Sequence, residues 1–558
     1  MSLPLIVLAV LAVLVAGYAL YGSFVARSLG LDDARVTPAH SRSDGVDYVP
    51  TPPFYLFGQH FSAIAAAGPI AGPILACQSF GWLPCVLWIA LGVVVIGAVH
   101  DASTLAASVR HGASSVAEIC REEIGPRAGL AMLAFIWLAL LFVIVAFTDI
   151  TAGTFVTGPE ELTGVTPGFH PGGAVAAASV MYLLLSVVMG VVQKALSPPL
   201  WLVTLIFVPA TFGLAWMGTH VSHVLLLQRS SWGLLILLYC GVASVVPVWA
   251  LLQPRGYLGG FVLYAALAIG LGGIFFGGYP VQQPAFTGFH AGESTGSLFP
   301  FLFVTIACGA CSGFHGLVCS GTTSKQLDRE SHARPVGYGA MLAEGLVAVI
   351  ALSTIMILTP AEAHGLQPGA IYGQGLGRFL TLLIGKDNLA FAITFGAMAF
   401  STFVFDTLDV STRLGRLILQ ELFGWKGRAG AAVATVITLA VPAWLLQSGE
   451  AGGWKLYWTL FGASNQLLAA LSLLVVTVWL ARARRPVTFT LVPLVFVLVI
   501  TLWSLVSLAL DGVRRAQGLD ASAINALVAA TLVLLALYLV ARALARLLAE
   551  RRAAEATV

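Results

Sequence analysis

Two carboxylates three residues apart stand inside an otherwise apolar run, "FSTFVFDTLDVSTRLGR". At that spacing Asp406 and Asp409 share one helical face. Carboxylates on one face repel, and burial disfavours their charged forms, so one of them could take up a proton near neutral pH. That is the chemistry proton-coupled transport requires. Thr412, Arg413 and Arg416 follow in the same run. The structural alternative is that Arg413 or Arg416 locks Asp409 and leaves Asp406 alone in a pathway. Histidines stand in two other apolar runs. His60 follows Gln59 in "GQHFSAIAAAGPIAGPILACQ" and precedes two Gly-Pro pairs, Gly68-Pro69 and Gly72-Pro73. His315 stands among Gly309, Ser312, Gly313 and Gly316 in "FPFLFVTIACGACSGFHGLVCSGTTSK".

Other polar groups carry weaker chemistry. His100-Asp101 is expected near the inner end of its span, where such a pair commonly holds a loop. Asp149 and Glu344 are lone acids near span ends. In "LFGASNQLLAA", Asn465 and Gln466 are amides inside a span, which usually bind a neighbouring helix, with direct substrate contact as the rival. Cys308, Cys311, His315 and Cys319 fall on one helical face and have the identities of soft-metal ligands. A single straight helix cannot wrap four ligands around one ion, so a packing face is expected and no metal site. The seven cysteines sit mostly in apolar runs and describe no disulfide framework.

The elements that position these groups are membrane spans. The chain has 558 residues, 58% hydrophobic and only 9% charged, with mean hydropathy +0.92. Soluble domains carry roughly 25% charged residues. A polytopic all-α membrane protein follows, with no soluble catalytic domain and no basic, aromatic-rich cluster for nucleic acid. Leu3–Val25 lacks a basic flank ahead of it and is long enough to span, so it reads as a retained helix. Apolar runs give about fifteen spans at about 20 residues each. With the N-terminus outside, alternation puts 22 of the 28 Lys and Arg residues inside. Only Arg229, Arg378, Lys386, Lys455, Arg514 and Arg515 fall outside. Retention of positive charge in the cytoplasm supports that orientation and a cytoplasmic C-terminus. The loops 151–174 and 278–298 hold no Lys or Arg. Segment 360–387 is Gly-rich and is expected to form a short re-entrant or surface helix.

Proline explains why the span holding His60 should break. Pro69 and Pro73 have no N–H, so the carbonyls of Ala65 and Pro69 lose their helical partners. Lipid cannot satisfy them, and irregular backbone survives at that depth only when buried in protein or lining a polar cavity. The plainer alternative is a kinked packing helix around a satisfied histidine. The glycines of 299–325 mark a second candidate break, and alternation makes the two spans antiparallel. Paired, oppositely directed discontinuous helices are the mark of inverted-repeat transporters. The domains then read as a leading helix and loop (1–53), a first repeat with extra helices (54–298), a second repeat (299–521), and a C-terminal helix with a basic tail (522–558).

Six motifs resemble the CstA carbon-starvation protein family: "FGQHFSAIAAAGPIAGP", "GAVHD", "FPFLFVTIACGACSGFHGLVCSGTTSK", "YGAMLAE", "LDVSTRLGR" and "LFGASNQLLAA". They span residues 54–470. The resemblance implies a LeuT-like inverted-repeat fold with two discontinuous helices and peripheral helices. It also implies uptake of peptides or pyruvate during nutrient limitation, coupled to protons. It assigns roles to His60, Gly68, Pro69, Gly72 and Pro73, to Gly309, Ser312, Gly313 and His315, and to Asp409, Thr412, Arg413 and Arg416. The chain departs from the family pattern at Gln59, where a second histidine is common, at His100, where glutamine is common, and at Cys311 and Cys319. It is also short near 360–387. The missing histidine leaves His60, His315, Asp406 and Asp409 as the titrating set.

The expected function is a proton-coupled secondary importer of a small anion or zwitterion in the bacterial inner membrane. Lipid and substrate are its partners, and it needs no cofactor beyond a coupling proton or sodium ion. A channel would need charge rings or a carbonyl filter. A binding-only nutrient sensor would need a docking surface, and the inner loops are short. An intramembrane hydrolase would need a nucleophile–base pair or zinc motif.

Overall fold

A computed structural model describes residues 2–45, 47–65, 67–159, 168–290, 296–448, 454–518 and 520–556. Parts of the two loops without Lys or Arg, 160–167 and 291–295, lie outside the described residues. Those described are helical, and their only strand-like pairings are isolated bridges. The first half comprises α1 (Leu3–Leu29), α2 (Pro53–Ile64), α3 (Gly68–Phe80), α4 (Trp82–Arg110), α5 (Pro126–Phe155), α6 (Pro171–Leu196), α7 (Leu200–His220), α8 (Arg229–Val245) and α9 (Leu252–Phe276). The second comprises α10 (Leu298–Thr305), α11 (Gly313–Gly321), α12 (Glu330–Met356), α13 (Pro368–Ile384), α14 (Leu389–Phe423), α15 (Gly427–Gln447), α16 (Tyr457–Arg482), α17 (Thr488–Arg515) and α18 (Ala521–Arg552).

Among the described residues 12 helices are long and apolar enough to cross a membrane, or 13 if the bent pair α2–α3 forms one span. The chain is a multi-pass membrane protein. The expectation of about fifteen differs at two runs. Helix α8 has only 17 residues, and the run holding α10 and α11 is divided into helices of 8 and 9 residues.

Burial sorts the bundle into centre and periphery. Helix α16 is buried throughout its apolar window, and α12 and α14 over most of theirs, whereas α7 buries little. Trp201, Leu205 and Ile206 on α7 and Val492, Val495 and Val499 on α17 are exposed, as outer faces in contact with lipid should be. Lipid gives no hydrophobic drive for helix association, so close contact of small residues carries more of the packing. Gly373 on α13 faces Gly396 on α14 closely: a Cβ on Gly396 would stand 2.9 Å from the Gly373 Cα. Helix α13 is the Gly-rich segment expected to be re-entrant or superficial. It is largely buried against α3, α9, α12 and α14, which rules out a surface helix.

Three helices widen for one turn, at Gly17–Tyr21, Val93–Gly97 and Arg334–Gly339. A widened turn frees a backbone carbonyl. The Tyr338 hydroxyl, carried by the third, lies 2.9 Å from the Val94 carbonyl oxygen and 3.4 Å from that of Gly17. These irregular turns are thereby pinned together just before His100 and Asp101 on α4.

Candidate substrate and proton site

The first interruption separates Ile64 from Gly68, and α2 meets α3 there at 46°. Pro69 sits in the first turn of α3, where its missing N–H is no loss. The expectation that both Gly-Pro pairs unwind the span is corrected at the second: Pro73 lies inside continuous α3. One lost backbone bond does not open a helix whose residues from Gly68 to Cys77 are all buried by neighbours. Gly72 instead permits a close crossing. A Cβ there would stand 2.5 Å from the Thr305 carbonyl oxygen, and one on Gly68 would stand 2.5 Å from Cys308 Sγ.

Those neighbours belong to the second interruption. Residues 306–312 leave the helix and turn on the Ala307 carbonyl, which accepts from Cys311 N–H at 2.7 Å. Helix α16 straps both sides of the gap. Asn465 Oδ1 accepts from Phe314 N–H at 2.9 Å, while its Nδ2 donates to Ser312 Oγ at 3.0 Å and Cys308 Sγ at 3.2 Å. Gln466 Nε2 donates to the Phe303 carbonyl at 3.3 Å, and Trp458 Nε1 to that of Thr305 at 3.2 Å. Each supplies a partner that the broken ladder lacks. Both amides thus bind backbone, the plainer of their two readings. Gly313 lies against α16, since a Cβ there would collide with the Asn465 carbonyl and Leu468. Gly309 approaches Ala348 and Pro69.

Ile64, Gly68, Pro69, Cys308, Ser312, His315 and Thr407 line a cavity of about 20 Å³ between the two interruptions. That is room for one water and no organic solute.

His315 joins this cavity to a buried chain of titratable groups. Its Nδ1 lies 2.9 Å from Asp101 Oδ2 and its Nε2 3.1 Å from Glu344 Oε2. Asp101 Oδ1 pairs with His100 Nδ1 at 2.7 Å. A neutral imidazole has one N–H, so it cannot donate to two carboxylates. The contact with Asp101 is a hydrogen bond, while Glu344 lies within ion-pair distance of Nε2 with neither carboxylate oxygen hydrogen-bonded. His60 completes the group from α2, with Nδ1 2.8 Å from Thr323 Oγ1 and Nε2 4.0 Å from Cys319 Sγ. Its neighbour Gln59 is exposed and takes no part. His100 and Asp101, expected at a loop, are fully buried at the centre of the group.

Asp406 and Asp409 do share a face, but their partner is not Arg413 or Arg416. Arg255 lies between them, with Nη2 2.7 Å from Asp406 Oδ1 and Nη1 2.9 Å from Asp409 Oδ2. Tyr239 donates to Asp409 Oδ2 at 2.7 Å. Arg413 Nη2 instead donates to the carbonyls of Ala243 and Val246 at 2.8 and 2.7 Å, capping the end of α8. Thr412 Oγ1 and Arg416 Nε are buried without hydrogen-bond partners. Arg255, one of the 22 cations that alternation assigns to the inner side, is a buried residue of α9.

The cysteines on α11 and before it do not converge. Cys308 faces Asn465, and Cys319 Sγ lies 3.5 Å from the Asp101 carbonyl oxygen. Among the described residues no group of three or more His, Cys, Asp or Glu could hold a metal ion.

Known proteins resemble this chain along most of its length. The model of the family described as "Carbon starvation protein CstA" matches residues 1–376 and 367–504. The "Peptide transporter CstA" of Bacillus subtilis (strain 168) is 33% identical, the match covering 89% of each chain. The "Pyruvate/proton symporter BtsT" of Escherichia coli (strain K12) is 33% identical, over 90% of this chain and 81% of its own. Among solved structures, a point mutant of the Eremococcus coleocola manganese transporter covers 90% of this chain and 98% of its own at 14% identity and a TM-score of 0.42.

Proposed function

The chain belongs to the carbon starvation protein CstA family, and from that premise we propose that it is a proton-coupled secondary importer of a small carboxylate-bearing nutrient, pyruvate or a short peptide. The single observation that carries the reading is the crossing of two interruptions at Gly68 and Gly72 beside His315 and its two acids. Interrupted helices give a carrier what a straight bundle lacks. Half-helix N-termini at Gly68 and Gly313 offer their N–H groups to an oxygen of the substrate, and freed carbonyls accept donors. The cavity between them is too small for the substrate, so a carrier of this kind must open it toward each side in turn. The two spans belong to oppositely directed repeats of a LeuT-like fold, with the remaining helices peripheral. The protein lies in the bacterial inner membrane with its N-terminus outside and its C-terminus in the cytoplasm. It acts as a carrier rather than an enzyme, and its one accessory is the coupling ion.

Purified protein in liposomes tests this. Radiolabelled pyruvate and dialanine are offered under an inward proton gradient and, separately, an inward sodium gradient. A proton-coupled carrier concentrates at least one of them under the proton gradient alone, with saturable exchange and no unitary current. Asp406→Asn and Asp409→Asn should each abolish uphill uptake with folding intact. Uphill uptake by both variants refutes the coupling assignment, and accumulation under sodium alone replaces the ion.

A further inference from the structure

The two aspartates on α14 carry one charge more than their guanidinium balances. Arg255 is 2% exposed and faces Asp406 and Asp409 together. Tyr239 and Cys240 face this group from α8, and Tyr182 faces it from α6, its hydroxyl donating to the Arg255 carbonyl at 2.7 Å. Arg413, on α14 itself, is engaged with the end of α8. None of these is a second cation held against the acids.

The acids are not equivalent. Asp409 is fully buried and has two donors, Arg255 and Tyr239. The Asp406 side chain is 21% exposed, and its one ion pair among the described residues is with Arg255. Nor is the guanidinium fully used. A carboxylate fits it best through two parallel bonds. Nη2 meets a single oxygen of Asp406, and Nε on the same edge is buried without a partner. The next turn of α9 is thin at this point. A Cβ on Gly259 would stand 3.0 Å from Asp406 Oδ2, and one on Gly260 3.7 Å from Ser62 Oγ near the end of α2. Thr407, adjacent to Asp406, lines the cavity between the interruptions.

We propose that Arg255 is a receptor for the substrate's carboxylate, occupied by Asp406 as a stand-in and opened when Asp406 takes up a proton. This rests on the carrier reading. In the exchange the Asp406 carboxylate gains one proton and releases Nη2. The substrate's carboxylate takes the Nε–Nη2 edge, while Asp409 keeps Nη1. The charge of the group is unchanged, so one proton enters with one carboxylate. Pyruvate and a peptide C-terminus present the same group, which makes Arg255 a determinant for carboxylates of either kind.

Equilibrium binding of radiolabelled pyruvate and dialanine to the purified full chain tests it, from about pH 5.5 to about pH 8. Wild type should lose up to about tenfold in affinity per pH unit once Asp406 is ionised, the slope of one linked proton. Asp406→Asn should bind the same probe with affinity independent of pH and no weaker than wild type at low pH, yet fail to accumulate it uphill. Arg255→Gln alone strands two buried carboxylates, so the charge-balanced Arg255→Gln/Asp409→Asn variant is made. It should bind at least about thirtyfold more weakly, the loss of a hydrogen-bonded charge pair. If Asp406→Asn still follows pH as wild type does, or if the double variant binds within about twofold of wild type, the proposal is overturned. Should the double variant fail to fold, the pH profile of Asp406→Asn decides alone. A wild type that accumulates neither probe under any gradient refutes the carrier reading, and this proposal falls with it; that result is distinct because it is seen without any substitution.

Discussion

Replacing Gly72 with alanine tests the crossing of the two interruptions. The added Cβ would stand 2.5 Å from the Thr305 carbonyl oxygen and 3.3 Å from the Ile306 Cα. Both are backbone atoms and cannot rotate aside, so α3 and residues 305–306 must move apart, the kind of backbone shift that overpacking forces. Strain of that kind costs about 1–3 kcal/mol. Alanine also gains about 1 kcal/mol over glycine inside a helix, which masks part of the loss. Gly272→Ala on α9 removes the ambiguity, because its Cβ would meet nothing within 4 Å. The propensity gain is common to both variants, so the difference between them isolates the strain. Paired thermal unfolding in one detergent should place Gly72→Ala below Gly272→Ala by the equivalent of about 1–3 kcal/mol. Equal stability, or the reverse order, would show that the two segments do not touch as described.

Other consequences can be measured in the same preparation. Asn465→Ala leaves the buried Phe314 N–H without its acceptor and should cost about 1–3 kcal/mol in thermal unfolding; an unchanged midpoint contradicts the strap across the second gap. His315→Leu strands Asp101 and Glu344 and should cost about 3–5 kcal/mol. The double variant His315→Leu/Glu344→Leu keeps the Asp101–His100 pair and should be more stable than the single one; the opposite order contradicts the pairing of Glu344 with His315. Just beyond α4, burial opposes the charge on His111, but Glu123 at 2.9 Å and the Ala107 carbonyl outweigh it and hold the imidazole above its ordinary 6.5. A raised folded value stabilises fully below the unfolded value and is lost as pH rises through the folded one. The stability of wild type relative to His111→Asn should therefore fall as pH rises from 6.5; a flat or rising difference contradicts the pairing.

How much of this was legible in the sequence follows from what each residue type does locally. Missing N–H groups and clustered glycines are local facts, and the helix ends at Ile64 and Gly68 and at Thr305 and Gly313 fall beside "GPIAGP" and "GACSGFHG". Pro73 misled because its effect depends on burial by neighbours, which no local pattern carries. The spacing of Asp406 and Asp409 correctly put them on one face, but their partner comes from a different helix. Arg255 lies four residues into α9 and was sorted by hydropathy into a loop. The one available signal was the long apolar run that follows it immediately. Glu344 was underweighted for the same reason. An acid within "MLAEGLVAVIALS" has no local partner, so the need for one could have pointed to a buried partner such as His315. His100 and Asp101 looked like an interfacial pair because the widened turn at Val93–Gly97 and its Tyr338 clasp are tertiary features. The span count depended on α8 and on the α10–α11 run, where length alone does not decide whether a helix crosses.

Access to Ser312 is the most direct test of the two interruptions as a shared pathway. With the seven native cysteines replaced by alanine, Ser312→Cys is exposed to a membrane-impermeant maleimide in right-side-out and in inverted vesicles. The account requires labelling from both sides, with the substrate and an imposed proton gradient shifting the balance between them. Protection from both sides under every gradient, with transport intact, would contradict it.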